Sequence, residues 1–185
     1  TLQYALATVA SNPSTLALGL SGVFGVLDTT NGGANAGNIK TINVTMGANG
    51  TLAGITDAAL RTLSVSGSGI LTLTAFNNAV TSLTTSGSAG ISANISGAAG
   101  LTSFVAGGTG NNTVTINSQV QAYTGGTGND VVTITADPTK AISGGLGTDT
   151  IILGAATATF TANVATNVSG FETVGLNANS SGTYN

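Results

Sequence analysis

An apolar-x-x-apolar seed recurs along this chain: Ile39-Lys40-Thr41-Ile42, Leu60-Arg61-Thr62-Leu63, Val80-Thr81-Ser82-Leu83, Leu101-Thr102-Ser103-Phe104 and Val120-Gln121-Ala122-Tyr123. The seeds start about 19 to 21 residues apart. Each is followed by a turn rich in Gly or Ser and then a second short apolar run, such as Ile70-Leu71-Thr72-Leu73-Thr74, Val114-Thr115-Ile116 or Val132-Thr133-Ile134. Val, Ile and Thr at alternate positions, bounded by Gly, Asn or Asp, fit a pleated surface with one face buried, and no helical period competes. A unit this short cannot bury its own apolar face. Stacked units can, each rung about 4.8 Å above the last, so the period predicts an all-β, parallel β-solenoid of about 20-residue rungs. Six or so rungs make a rod on the order of 30 Å long.

Two kinds of corner alternate. One is glycine-rich, at Ser66-Gly67-Ser68-Gly69, Ser86-Gly87-Ser88 and the later glycine motifs. The other is polar, at Asp57-Ala58-Ala59, Asn77-Asn78-Ala79, Asn117-Ser118-Gln119 and Asp137-Pro138-Thr139. Both read as turns, through left-handed φ at Gly, side-chain-to-backbone bonding at Asp and Asn, and the fixed φ of Pro. Residues 1–38 fit the repeat less well and read as an irregular leading rung or a join to a preceding domain. Residues 39–153 form the regular solenoid. Residues 154–185 carry an alternating Ala158-Phe160-Ala162-Val164 run and one more seed, Phe171-Glu172-Thr173-Val174, which should continue the sheet before a cut C-terminal end. Thr1 in place of a start methionine suggests a piece of a longer chain, with any export signal outside it.

Only 5% of the 185 residues are charged, against roughly 25% in an ordinary globular domain, so solubility must rest on hydroxyls and amides. The chain is nonetheless 41% hydrophobic, with the apolar residues in register, which argues against disorder. Lys40, Arg61 and Lys140 are the only cations and the net charge is -3, which offers no basic stripe for nucleic acid. No apolar run approaches the roughly 20 residues of a membrane span. With no His and no Cys, general acid-base or triad chemistry lacks its parts, and no enzyme is expected.

Three segments stand out: Gly107-Gly108-Thr109-Gly110-Asn111-Asn112, Gly125-Gly126-Thr127-Gly128-Asn129-Asp130 and Gly144-Gly145-Leu146-Gly147-Thr148-Asp149. Two of only six acidic residues fall on the sixth position of this motif. A lone glycine turn would be no more than a tight bend, since Gly alone adopts positive φ without strain. Three copies one solenoid turn apart place all three loops on one edge, where carbonyl oxygens and carboxylates suit Ca2+, a hard cation with roughly six to eight oxygen ligands. The stronger site is expected between the second and third loops, from Asp130, Asp149 and the turns Gly125, Gly126, Thr127, Gly128 and Gly144, Gly145, Leu146, Gly147. A weaker or empty one is expected where Gly107, Gly108 and Gly110 meet Asn112 in place of Asp. Lys40 and Arg61 stack on successive rungs, where an anion would relieve their repulsion, although two solvated side chains are the simpler reading. Asp28, Asp57 and Asp137 read as turn residues.

On these motifs, the Thr/Ala/Gly/Asn-rich rungs between them and the Ser169-Gly170-Phe171-Glu172-Thr173-Val174 segment, the chain resembles RTX proteins exported by type I secretion, and most closely their surface-layer (S-layer) members. The resemblance covers residues 39–178, with its motifs between 101 and 174. It implies a calcium-stabilised segment of a secreted protein that self-associates in a lattice on the cell surface, with a cell-surface polysaccharide bound through regions outside this fragment. The motif sits on one edge instead of both, since the half-turns at 117–123 and 135–142 lack it, which lowers the expected ion count. A stalk or ligand-binding module of a large RTX adhesin is the alternative. A secreted β-helix enzyme acting on polysaccharide lacks its catalytic groups.

Overall fold

The computed structural model describes residues 2–3, 14–29, 39–154 and 161–177. The chain is a parallel β-solenoid in which successive strands alternate between two sheets. The leading turn contributes β1 (Leu2–Gln3), β2 (Thr15–Leu20) and β3 (Val23–Asp28). The regular rungs follow with β4 (Thr41–Met46), β5 (Gly50–Thr56), β6 (Thr62–Gly67), β7 (Ile70–Leu73), β8 (Ser82–Thr85) and β9 (Gly90–Asn94). Next come β10 (Ser103–Ala106), β11 (Thr113–Ile116), β12 (Ala122–Thr124), β13 (Val131–Ile134), β14 (Ile142–Ser143) and β15 (Thr150–Leu153). The last turn holds a short helix α1 (Asn163–Asn167), then β16 (Val168–Ser169) and β17 (Thr173–Leu176). Odd-numbered strands form one nine-stranded sheet in chain order and even-numbered strands an eight-stranded one, and every pairing is parallel.

Strand alternation explains the two faces. In β4, Ile42, Val44 and Met46 are buried while Asn43 and Thr45 are exposed; the same pattern repeats in β6 and β8. The seeds Ile39, Leu60, Val80 and Leu101 are wholly buried and stack one above another at the start of the even strands. Each such side chain contributes roughly 1.5–3 kcal/mol of burial, available only because a neighbouring rung covers it.

The fifth seed behaves differently. Val120 is 36% exposed, and the buried residue is its neighbour Gln121. The Gln121 amide donates to the carbonyls of Ile95 (2.9 Å) and Ala98 (3.1 Å), while its oxygen accepts the Asn117 N–H (2.8 Å). The amide thus satisfies the Asn117 N–H and adds a second donor to two carbonyls that already accept the N–H groups of Ala98 and Leu101, which a valine could not do. In the leading segment, the described residues 15–28 form two full strands in register with β4 and β5, from Thr15–Thr41 to Asp28–Thr56. In the tail, Ala158 and Phe160 lie outside the described residues, and Val164 lies in α1, not in a strand. The seed at Phe171 does lead into the sheet, with Thr173–Leu176 paired to β15.

The polar corners are side-chain-bonded turns. Asp57 Oδ1 accepts the Ala59 N–H (2.8 Å), Asn77 Oδ1 that of Ala79 (2.9 Å) and Asn117 Oδ1 that of Gln119 (3.2 Å). Arg61 points its Nη1 at the carbonyls of Ala58 (2.8 Å) and Leu60 (2.9 Å), so its guanidinium closes a corner.

Candidate functional site

The glycine motifs stack as their spacing implies. Asn112, Asp130 and Asp149 each precede residues paired across the sheet, Thr113 with Val131 and Val131 with Thr150, so they occupy one column. Glu172, ahead of Thr173, extends it. Earlier rungs fill this column with the buried apolar residues Leu71 and Ile91. The loops approach so closely that a Cβ on Gly126 would collide with the carbonyl of Gly108, and one on Gly145 with that of Gly126. Glycine is required at those two positions by contact between backbones. Gly145 also adopts a φ of +99°, which other residues rarely tolerate.

The polar column is a hydrogen-bonded ladder. Each side chain accepts the backbone N–H of the rung before it: Ile91 N–H to Asn112 Oδ1 (3.1 Å), Asn112 N–H to Asp130 Oδ1 (2.7 Å), Asp130 N–H to Asp149 Oδ1 (2.7 Å) and Asp149 N–H to Glu172 Oε2 (2.7 Å). A second ladder runs the other way on the solvent side. Asn111 Oδ1 accepts the Asn129 N–H (2.8 Å), and Asn129 Oδ1 accepts that of Thr148 (2.9 Å). Backbone bonds between loops, Thr127 N–H to Gly108 O (3.0 Å) and Leu146 N–H to Gly126 O (2.9 Å), complete the stitching.

Asn112, Asp130 and Asp149 are all buried, but their side chains differ in what they still need. Asn112 is satisfied: its amide donates to Gly110 O (3.1 Å) and Asp130 Oδ1 (3.0 Å). Asp130 is satisfied as well, because its Oδ2 accepts the Tyr123 hydroxyl at 2.7 Å. Burial, then the Asp130 charge, pushes the Tyr123 hydroxyl far above the usual tyrosine range, so it remains a donor. Asp149 Oδ2 is buried with no hydrogen-bond partner. On that rung Ile142 stands beside Tyr123 in the sheet register, and an isoleucine has no hydroxyl to offer. Burial raises the Asp149 carboxyl above the usual carboxylate range; the Asp130 N–H lowers it, and the charges of Asp130 and Glu172 raise it further.

Among the described residues, no three His, Cys, Asp or Glu side chains converge as a metal-binding group. Asp130 and Asp149 sit on adjacent rungs, linked through backbone N–H and carboxylate instead of facing each other across an open gap. The residues that fit a hard cation are narrower than the motifs suggest: among the described residues, one buried carboxylate oxygen lacks a donor, Asp149 Oδ2, close to Gly144 on its own loop. Sequence reasoning missed Tyr123 and Glu172. The signal for Tyr123 was a lone phenol in a seed position otherwise held by hydrocarbons; Glu172 follows Asp149 by a longer interval, because α1 is inserted between them.

No protein family, curated protein or solved structure matches the chain. Among the described residues no helix is long and apolar enough to cross a membrane.

Proposed function

We propose that this chain is a structural segment of a secreted surface-layer protein of the RTX kind, stiffened by calcium at its glycine corner and contributing to a self-assembling lattice on the cell surface. The observation that carries the reading is Asp149 Oδ2, a wholly buried carboxylate oxygen with no donor, next to stacked glycine turns. A buried carboxylate is costly without a compensating partner, and an all-oxygen shell with neither imidazole nor thiolate suits Ca2+. Asp149 and carbonyls of the turns Gly144–Gly147 and Gly125–Gly128 would hold the ion. Asp130 would join only by releasing Tyr123 or Asn112. The loop at Gly107–Asn112 offers a satisfied amide and would take no ion. Calcium here supplies charge neutralisation and a cross-link between rungs. The lattice reading is supported by uncharged outer columns of Thr, Ser and Asn, such as Thr41–Thr62–Ser82, which can pack against copies of themselves with little repulsion.

Two measurements test it. Calcium should raise the melting temperature of the chain, and Asp149→Asn should abolish that rise; an unchanged melt in calcium and in chelator would sink the metal assignment. Electron microscopy of the complete protein in calcium should give ordered two-dimensional sheets. Soluble monomers that form no sheets in calcium would favour an adhesin module instead.

A further inference from the structure

A groove of about 310 Å³ opens on the polar corner, opposite the glycine motifs, lined by Thr74, Phe76, Asn78, Asn94 and Ser96, with Gly97 at its rim. Its origin is a difference in chain length. Register fixes Leu52, Leu73 and Ala93 at one level of the odd sheet, and Thr62, Ser82 and Ser103 at one level of the even sheet. The corner joining Leu73 to Ser82 contains one residue fewer than those joining Leu52 to Thr62 and Ala93 to Ser103. The shorter corner cannot follow the outline of its neighbours, and a recess is left against the following rung.

The chemistry of the recess is specific. It contains no charge, one aromatic ring packed at its base against the core, and several polar groups with bonding capacity to spare. Among the described residues, the Thr74 hydroxyl and the Asn78 amide have no hydrogen-bond partner. Asn94 uses its oxygen for the Ser96 N–H (3.1 Å) and hydroxyl (2.7 Å), leaving its NH2 free. Gly97 belongs to the arrangement, because a Cβ there would lie 2.9 Å from Asn78 Nδ2 and displace the amide. Arg61, on the same corner, reaches the Ala79 carbonyl (3.4 Å) in addition to those of its own turn, so no cation is turned toward an anionic ligand. A peptide strand has no edge to join, since β7 and β9 are each paired on both sides.

We infer that this groove is a binding site for a neutral sugar unit, with Phe76 as the platform for its C–H face and Asn78, Asn94 and Thr74 as hydrogen-bonding groups for its hydroxyls. The volume is at the small end of ligand pockets, roughly 300–1,000 Å³, and one aromatic with convergent neutral donors and acceptors is what a pyranose requires. The inference is independent of calcium and of lattice assembly.

The test is an amide-resolved NMR titration of the chain with the methyl glycosides of glucose, galactose, mannose and N-acetylglucosamine. At least one should give saturable shifts confined to residues 74–78 and 94–97, with a dissociation constant of about a millimolar. Asn78→Ala, at an exposed position, and Phe76→Leu, which keeps an apolar contact with the core but removes the ring, should each weaken binding about tenfold or more, roughly 1.4 kcal/mol. Absence of saturable shifts with all four at about 50 mM, affinity unchanged in Asn78→Ala, or an equal response to a neutral Asn-containing tripeptide would overturn the inference.

Discussion

The Tyr123 hydroxyl donates to Asp130 Oδ2 at 2.7 Å inside the solenoid, closing the polar column on that rung without an ion. Both residues are wholly buried. Tyr123→Phe removes the donor and leaves a carboxylate oxygen stranded, a loss of about 1–3 kcal/mol in metal-free protein. Urea unfolding in chelator measures it, and a change below a few tenths of a kcal/mol would contradict the pairing.

Asp149→Asn should act in the opposite direction when calcium is absent. Asn112 shows what an amide does in this column: it accepts the preceding N–H and turns its NH2 to the carbonyl two residues back, Gly110. The same geometry would aim an amide at 149 toward Gly147, relieving a buried charge. A gain of about 1–3 kcal/mol is expected in chelator, together with loss of the response to calcium.

The pH dependence follows from the raised Asp149 carboxyl, faced by Asp130, Glu172 and the Tyr123 phenol. The folded state binds that proton more tightly than the unfolded chain, whose Asp titrates at about 3.9. Its contribution is therefore fully present below that value and is lost as pH rises through the raised folded one. Metal-free protein should lose stability across that window on moving from acid toward neutral pH. Asp149→Asn should flatten the slope, and thermal melts in chelator at a series of pH values read it directly.

Backbone contact at the glycine corner predicts a sharp contrast between two Gly→Ala changes. At Gly126 the new Cβ meets the carbonyls of Gly108 and Ala106, and a cost of at least about 1–3 kcal/mol is expected. At Gly19, with nothing within 4 Å, the same change should stay within about 0.5 kcal/mol. Equal effects would mean the loops are not stacked as described.

Thr85 belongs to a core column with Val65 and Ala106, and its buried hydroxyl has no partner. Thr85→Val keeps the shape and removes the desolvated group, so stability should rise by about 1 kcal/mol.

The solenoid was legible because Ile39, Leu60, Val80 and Leu101 repeat a burial requirement that only stacking can meet, and the register through Thr41, Thr62 and Ser82 follows their spacing. The stacking of the three glycine loops was legible for the same reason. What the loops do with their side chains was not. Whether Asp130 needs an ion depends on Tyr123, seven residues earlier in sequence and on the other sheet, and that hydroxyl reaches across the core. The exchange of Val120 for Gln121 was hidden too, because it answers to the carbonyls of Ile95 and Ala98, which belong to the preceding rung. Periodicity reports what each rung has in common; these contacts arise where one rung differs from the next.

The two ladders on the glycine side run in opposite directions through Asn111 and Asn129 and through Asp130 and Asp149, so each loop is held by its predecessor and its successor at once. The other corner is constrained unevenly: the turn at Asn117 bonds both neighbours, through Gln121 to Ile95 and Ala98 and through the Ser118 hydroxyl to Ala136, yet elsewhere on that corner the chain has dropped a residue beside Asn77 and accommodated α1. Insertions should therefore be absorbed along one long side of the rod only. A foreign peptide spliced between the exposed Ala99 and Gly100 would be displayed on that side while the rod keeps its pitch, whereas a single added residue between Gly126 and Asp130 would break the stack on both sides of the lesion.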